Sequence, residues 1–195
     1  MTKGEESLEA VVTAGYNLFV KHGYHGTSMR QIAREAQLSP ASLYNHVAGK
    51  EELFLEVLRR HHPYHQFVPV LTSAQGANNE DLVQDIAQKM LAVVKSRPGL
   101  INLLFIELVE FEARHTAELF RDIFPHFAGF GQRLEQSQGR LRPMEETSRA
   151  LAFAGLIISQ WILQMLVHGE AFDTSTLFND AVDIFLHGIL ADAEA

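Results

Sequence analysis

The sequence predicts an all-α protein. Apolar residues recur at intervals of three and four residues along almost every segment, and no stretch alternates between apolar and polar residues as a strand does. Glycine, proline and asparagine fall at the intervals expected of connections between helices. Hydrophobic residues make up 47% of the 195 residues and charged residues 21%, so the chain can bury a substantial core.

The composition excludes several kinds of site. Cysteine is absent, which excludes disulfides, thiolate metal ligands and cysteine nucleophiles. The first ten residues, MTKGEESLEA, lack the apolar core of a signal peptide. Residues 150–167 approach the length of a membrane-spanning helix, but Ser159, Gln160 and Gln164 interrupt them, which favours burial between other helices. We therefore expect a cytoplasmic protein without a membrane span.

Four helices are predicted in the first 61 residues. The first covers about residues 7–21, where helical spacing produces an apolar stripe of Val11, Ala14, Gly15, Leu18 and Phe19. Thr27 or Ser28 is the expected N-cap of a short helix over residues 29–36. Ser39 and Pro40 mark a third helix over residues 40–47, because serine is a preferred N-cap and proline fits the first helical position. A fourth helix opens at Lys50.

Longer helices follow and predict a bundle with short connections. The pattern places them at about residues 80–96, 99–113, 116–138, 145–169 and 174–193. Pro125 is expected to kink the third of these. Residues 63–69, which contain two prolines, are interpreted as a connection.

Residues 27–53, TSMRQIAREAQLSPASLYNHVAGKEEL, hold two short helices joined by a tight turn at Gln37. The small residues Ala33 and Ala36 allow a close, steep crossing of the two helices. The apolar residues Ile32, Leu38, Leu43 and Val47 are spaced to meet between them. This pattern is typical of a helix-turn-helix, whose second helix lies in the major groove of DNA.

The charge distribution qualifies the expectation of DNA binding. The chain has a net charge of −8, but residues 1–60 contain seven basic and seven acidic residues, so the remaining residues carry all of the net charge. A neutral domain lacks a strong attractive field for phosphates. DNA binding must therefore depend on a few placed contacts.

These residues resemble the TetR/AcrR family of repressors over about residues 11–55. The matching positions are Leu18-Phe19, Gly23-Tyr24, Thr27-Ser28, Ile32-Ala33, Ser39, Leu43-Tyr44, His46 and Lys50-Glu51. The chain departs from the family pattern at Gln37, where glycine is usual, and at Val47, where an aromatic residue is usual. We expect Gln37 to adopt a positive φ at some energetic cost.

The resemblance implies the DNA contacts. It assigns phosphate contacts to Thr27 or Ser28, Tyr44, His46 and the amino end of the helix at Lys50. It makes Arg30, Pro40, Ala41, Ser42 and Asn45 the candidates for reading bases.

The C-terminal helices contain candidates for a ligand pocket. The apolar candidates are Phe105, Phe111, Phe120, Phe124, Phe127, Phe130, Trp161 and Met165. Ordinary core packing is the alternative for each of them. Glu107 and Glu110 share one side of a helix. They indicate either a cationic or hydrogen-bond-donating ligand or, as the favoured alternative, a rim or interdomain salt bridge.

Histidines cluster at residues 61, 62 and 65, but Pro63 interrupts the helical spacing that a metal site there would need. We therefore expect no metal site and no cofactor.

The last two helices are the expected homodimer interface. The final helix carries an apolar stripe formed by Leu177, Phe178, Ala181, Val182, Phe185 and Ile189. The preceding helix presents Ala152, Gly155 and Ser159, which permit close backbone approach. A two-fold dimer separates its recognition helices by roughly 34–36 Å, one DNA turn, and suits a palindromic operator.

The sequence thus predicts a transcriptional regulator with a helix-turn-helix domain over residues 1–50 and an effector-binding and dimerisation domain over residues 51–195. By its resemblance it is expected to be a repressor that a small, largely apolar ligand releases from DNA. It is not expected to be an enzyme, since no Ser/His/Asp or paired-carboxylate arrangement occurs. A DNA-binding protein of this fold without an effector, or a metal-responsive regulator, is the alternative.

Overall fold

The structure is a computed structural model that describes residues 2–62, 64–96, 99–167 and 174–189. Within these ranges, the side chains of residues 64, 65, 117–120, 122–124, 128, 164 and 165 are not described. The described part is all-α and contains no strand, as predicted. Its helices are α1 (Lys3–His22), α2 (Met29–Glu35), α3 (Pro40–Tyr44), α4 (Lys50–His61), α5 (Tyr64–Ser73), α6 (Asn79–Ser96), α7 (Leu100–Glu110), α8 (Thr116–Gln136), α9 (Glu146–Leu166) and α10 (Thr174–Ile189).

The chain divides into two compact units. The first comprises residues 1–62 and 99–119, and the second comprises residues 63–98 and 120–195. The first unit therefore contains α1–α4, α7 and the beginning of α8. The predicted boundary at residue 50 separates a DNA-binding domain from an effector-binding domain. It is a functional boundary, which the two structural units do not test, and it stays a prediction.

The core of the first unit forms where α1 packs against α4. A Cβ atom at Gly15 would lie 3.1 Å from Cγ2 of Val57 and 3.3 Å from the side chain of Leu53, so the two helices approach closely because position 15 has no side chain. One turn further on, the rings of Phe19 and Phe54 meet edge to face at 5.5 Å. Phe111, which follows α7, stacks on Phe54 at 5.1 Å and brings α7 into the same core.

The predicted helices of the first unit are present with small changes at their ends. The first helix begins earlier than expected, because Thr2 and Glu5 form a capping box around its first turn. Ser39 is the N-cap of α3, as predicted, and of the two candidates Thr27 and Ser28 it is Ser28 that caps α2. The third helix is shorter than expected and ends at Tyr44, with Asn45 as its C-cap.

The helix α5 was not predicted. The interpretation of residues 63–69 as a connection is wrong for residues 64–69, while residue 63 lies outside the described residues. Pro69 lies inside the helix, although it contributes no backbone N–H to the helical hydrogen bonds. Phe67 and Leu71, one helical turn apart, are 6% and 1% exposed. Burial of these two side chains against α6 offsets the lost hydrogen bond.

The core of the second unit lies between α6, α9 and α10. Phe153 of α9 contacts Phe130 of α8 at 5.0 Å and Phe185 of α10 at 5.6 Å between ring centroids. Trp161 is buried, and its indole N–H donates to the carbonyl of Val94 over 3.4 Å. Pro125 lies inside α8, which continues through it.

The predicted interface stripe on the last helix needs correction. Phe178, Val182, Phe185 and Ile189 are between 2% and 8% exposed, so they belong to the core of the second unit. The outward face of α10 instead presents Leu177, which is 46% exposed, and Ile184, which is 71% exposed. The helix is apolar on two sides, and both of its phenylalanines, Phe178 and Phe185, face inward.

No helix in the part of the chain that the structure describes is long and apolar enough to cross a membrane.

The turn after α2 adopts the strained conformation that the sequence predicts. Gln37 has a φ of 57°. The N–H of Leu38 donates to the carbonyl of Ala33 over 2.9 Å, and the N–H of Gln37 donates to the carbonyl of Arg34 over 3.2 Å. These two bonds form a Schellman motif, whose left-handed position glycine occupies most easily.

We predict that Gln37→Gly raises the free energy of unfolding by about 0.5–1 kcal/mol. Removing Cβ relieves a left-handed strain of about 1–2 kcal/mol, and the added entropy of glycine in the unfolded chain offsets part of that gain. Gln37→Ala is the matched control, because it removes the same exposed amide but keeps Cβ. Chemical denaturation measures both variants, and an equal effect of the two would contradict this account.

Candidate nucleic-acid interface

The helix α3 presents a short polar surface. The hydroxyl of Ser39 accepts a hydrogen bond from the N–H of Ser42 over 3.1 Å and fixes the first turn. Leu43 and Val47 are buried, which anchors one side of the helix. The opposite side exposes Pro40, Ala41, Tyr44 and Asn45, while Ser42 and His46 are half-buried. Hydrogen-bonding groups and small apolar groups on one face are suited to the major groove.

The helix α2 adds two cations to the surface of the first unit. Ser28 is exposed, and its backbone N–H donates to the side-chain carbonyl of Gln31 over 2.7 Å in a capping box. Arg30 and Arg34 are exposed, and neither side chain pairs with another residue in the described part of the chain. Because Ile32 and Ala33 are buried, the orientation of both arginines is set by the packing of α2.

Thr27 and Ser28 differ in their availability for DNA. Thr27 is 2% exposed, and its hydroxyl lies 3.1 Å from the carbonyl of Leu18 and 2.8 Å from that of Gly23, within donating distance of both. The hydroxyl of Thr27 is therefore used to hold the end of α1. Of the two predicted phosphate contacts, Ser28 is the one at the surface.

The ammonium group of Lys50 is bound within the protein. It donates to the carbonyl of Tyr24 over 2.9 Å and to the carbonyl of Thr27 over 3.0 Å. It also lies 4.2 Å from the centroid of the Tyr24 ring, in a cation–π contact. Burial, assisted by the negative charges of Glu51 and Glu110, raises the pKa of the Tyr24 phenol.

Carboxylates occupy the amino end of α4. Gly49 is the N-cap and makes no side-chain hydrogen bond, but Glu52 accepts a hydrogen bond from the N–H of Ala48. Glu51 and Glu52 are both exposed in the first turn. Negative charges there stabilise the helix and oppose the approach of a phosphate to the same end.

The carboxylate of Glu107 is buried and fully used inside the first unit. It accepts hydrogen bonds from the backbone N–H groups of His115, at 2.6 Å, and Thr116, at 3.1 Å, and it contacts Nδ1 of His115 at 2.9 Å. The other ring nitrogen of His115 lies 3.6 Å from Glu51. These contacts correspond to the salt-bridge alternative for Glu107, and they hold the start of α8 to the end of α7.

The predicted ligand-binding residues are distributed over both units. Phe105, Glu107 and Phe111 belong to the first, where Phe111 is part of the aromatic core and Phe105 is half-buried. Trp161 and Phe127 belong to the second, where Trp161 is buried and Phe127 is half-buried. The side chains of Phe120, Phe124 and Met165 lie outside the described residues.

Among the described residues, no group of three or more His, Asp or Glu side chains is arranged to hold a metal ion. His61 stacks on Tyr16 with 4.0 Å between ring centroids. The side chain of His65 lies outside the described part.

Sequence reasoning missed two features of this surface. Arg34 was not singled out, although it follows Arg30 by four residues and so shares a helix face. The bonds of Lys50 to Tyr24 and Thr27 had no signal in the sequence, because 26 and 23 residues separate the partners and only the packing of α4 brings them together.

Comparisons with known proteins agree with this geometry. Residues 11–57 match the family described as bacterial regulatory proteins, tetR family. YvkB of Bacillus subtilis, an uncharacterised HTH-type transcriptional regulator, is 22% identical over 93% of this chain and 96% of its own.

Two solved structures share the fold. A tetR-family regulator from Mesorhizobium loti has a TM-score of 0.72 at 22% identity, covering 98% of this chain and all of that one. NalD of Pseudomonas aeruginosa has a TM-score of 0.69 at 23% identity, covering 97% of this chain and all of its own.

A Ser39-capped recognition helix, packed on α2 and exposing Tyr44 and Asn45, defines a helix-turn-helix DNA-binding regulator. The family match covers residues 11–57, the segment that contains this helix-turn-helix. The chain is a helix-turn-helix transcriptional regulator whose residues 11–57 match the tetR family.

Proposed function

We propose that the protein is a repressor that binds a palindromic operator as a homodimer and leaves it when a small, largely apolar ligand binds. NalD, which shares the fold, is described as the secondary repressor of the MexAB-OprM multidrug efflux pump. By analogy with NalD, this chain would bind DNA in the cytoplasm and block transcription. The exposed face of α3 is the observation that carries the proposal.

The proposed DNA contacts follow from exposure and hydrogen-bonding capacity. The base-reading candidates on or next to α3 are Pro40, Ala41, Ser42 and Asn45. Amide and hydroxyl groups match base edges, and small apolar groups match the thymine methyl. Further candidates for phosphate or base contacts surround these residues: Ser28, Arg30, Tyr44 and His46. Thr27 has a structural role next to this surface, because its hydroxyl donates to the carbonyls of Leu18 and Gly23 at the end of α1.

We predict that Asn45→Ala lowers affinity for the operator by roughly 5–150-fold, equivalent to about 1–3 kcal/mol for a lost base contact, and relaxes the base preference at one position of each half-site. The operator is first obtained by selection from random duplexes, and affinity is measured by fluorescence anisotropy. Met144→Ala, a change at an exposed side chain of the second unit, serves as the control and should leave affinity unchanged. Selected duplexes without an inverted repeat would contradict the palindromic operator.

The proposed dimer interface is the outward face of α9 and α10. On α9, Leu151, Ile158 and Leu166 are 51%, 46% and 68% exposed at intervals of seven and eight residues, so they follow one side of the helix. Ala152, Gly155 and Ser159 are exposed between them, and a Cβ atom at Gly155 would meet nothing within 4 Å. Leu177 and Ile184 continue the apolar face on α10, which packs beside α9. Two such helices from each of two copies would form a four-helix interface.

We predict that Ile184→Glu converts the dimer into a monomer, because it places a charge in the apolar interface. Sedimentation velocity at micromolar concentration should give a species of about twice 21.9 kDa for the wild-type protein and 21.9 kDa for the variant. Val109→Glu is the matched control, because Val109 is equally exposed at 71% but lies on α7. A wild-type protein that sediments only at 21.9 kDa would rule out the dimer.

The proposed effector is apolar because the candidate lining is aromatic. Buried Trp161 packs against Phe67 with 5.5 Å between ring centroids, and Phe127 is half-buried in the same unit. The buried carboxylate of Glu107 already has its partners, so no cationic ligand is needed to neutralise it. Release from DNA requires that the ligand bind the DNA-free conformation more tightly than the DNA-bound one.

We predict that an effector changes the fluorescence of Trp161, the single tryptophan of the chain, and weakens operator binding at least tenfold. A panel of lipophilic compounds, with cations included, is screened by emission and by thermal stabilisation. Each hit is then tested for release of labelled operator. If no compound stabilises the protein or releases DNA, the effector proposal fails while the DNA-binding function stands.

A further inference from the structure

We propose that Lys50 is a positioning residue for DNA binding, which fixes the loop before α2 and does not itself bind phosphate. The proposal rests on the DNA contacts proposed above for Ser28 and Arg30. It replaces the phosphate role that the family resemblance implies for Lys50 with a role inside the protein.

The contacts of Lys50 converge on one loop. Its ammonium donates to the carbonyls of Tyr24 and Thr27, at 2.9 Å and 3.0 Å, and so spans both ends of the segment Tyr24–Thr27. The N–H of Thr27 donates to the carbonyl of Tyr24 over 3.2 Å, which closes the same turn. Two of the three ammonium donors are thus directed inward, and the charge is compensated by two carbonyl dipoles and the Tyr24 ring.

The loop is also held from its other side. The ring of Tyr24 meets the edge of Phe111 at 4.9 Å and packs near Phe54 at 5.8 Å. The imidazole of His25 lies 2.6 Å from the carboxylate of Glu110 at the end of α7. Lys50 supplies the contact from α4 and Phe111 supplies the contact near α7, so the loop has a defined position between the two helices.

The segment that follows the loop carries the proposed DNA contacts. Ser28 is the next residue after Thr27 and caps α2, and Arg30 lies in the first turn of that helix. A shift of the loop therefore displaces both side chains together. Because α2 has only seven residues, the contacts of its first turn are a large share of those that hold it, together with the packing of Ile32 and Ala33.

The electrostatics at Lys50 also favour an internal role. Glu51, the next residue in the chain, is 53% exposed, and Glu52 is exposed beside it in the first turn of α4. A phosphate that approached the ammonium would meet these carboxylates at short range. The carbonyls of Tyr24 and Thr27 bind the ammonium without that repulsion.

The test compares the salt dependence of DNA binding for Lys50→Met and Arg30→Ala. A residue that neutralises one phosphate contributes about 0.9 to the slope of log affinity against log salt. We expect Lys50→Met to weaken operator binding roughly tenfold, the equivalent of one charged hydrogen bond, with an unchanged slope. Arg30→Ala, which removes an exposed cation from α2, is the comparator and should reduce the slope by about one unit if it contacts phosphate.

A second measurement uses the protein without DNA. Amide hydrogen exchange at residues 27–31 should be faster in Lys50→Met than in the wild type, because the loop has lost its contact with α4. Loss of a phosphate ligand would leave exchange in the free protein unchanged. Lys50→Gln keeps a neutral donor and is the second variant if Lys50→Met does not fold. It should bind the operator more weakly than the wild type, with an unchanged salt slope and faster exchange at residues 27–31.

The outcomes separate this proposal from the proposed DNA contacts. If the Lys50 variants reduce the slope by about one unit and leave loop exchange unchanged, Lys50 is a phosphate ligand and the proposal is overturned. It is also overturned if neither affinity nor exchange changes. If the wild-type protein selects no duplex at all, it is the DNA-binding function that fails, and the exchange measurement still reports on the loop.

Discussion

The close approach of α1 and α4 at Gly15 is the contact on which the DNA-binding half depends. Leu53 and Val57 occupy the space that a side chain at position 15 would need. Their approach brings Phe54 to Phe19, and Phe111 then completes the aromatic cluster. With α4 in this position, Lys50 reaches the loop before α2, and α3 packs on α2 through Leu43. The absence of a side chain at position 15 thus permits the packing that brings α4 to the loop before α2.

The features that the sequence predicted are those governed by local rules. Ser28 and Ser39 are N-caps because serine side chains satisfy free N–H groups at the start of a helix. Gln37 takes a positive φ because the turn requires it, whichever residue is present. The helix α5 escaped prediction because proline signals a break locally, while burial of Phe67 and Leu71 favours a helix through contacts that lie far away in sequence.

The site was harder to predict than the fold because side-chain roles depend on tertiary partners. Lys50 has the residue type of a phosphate ligand, yet its ammonium is bonded to two carbonyls of the same protein. The apolar residues of α10 occupy two sides, and periodicity alone does not distinguish the core-facing side from the outward one. Phe178 belongs to the predicted stripe and is 2% exposed, whereas Ile184, which lies outside that stripe, is 71% exposed.

The neutral charge of residues 1–60 has a consequence for how this regulator finds its site in a genome. Non-specific affinity for DNA comes almost entirely from neutralised phosphates, and each chromosome offers about a million or more decoy sites. Glu51 and Glu52 add negative charge at the amino end of α4, so each decoy would hold the protein weakly. If the contacts proposed for α3 carry DNA binding, fewer molecules would be sequestered along the chromosome, and a smaller cellular pool would keep an operator occupied.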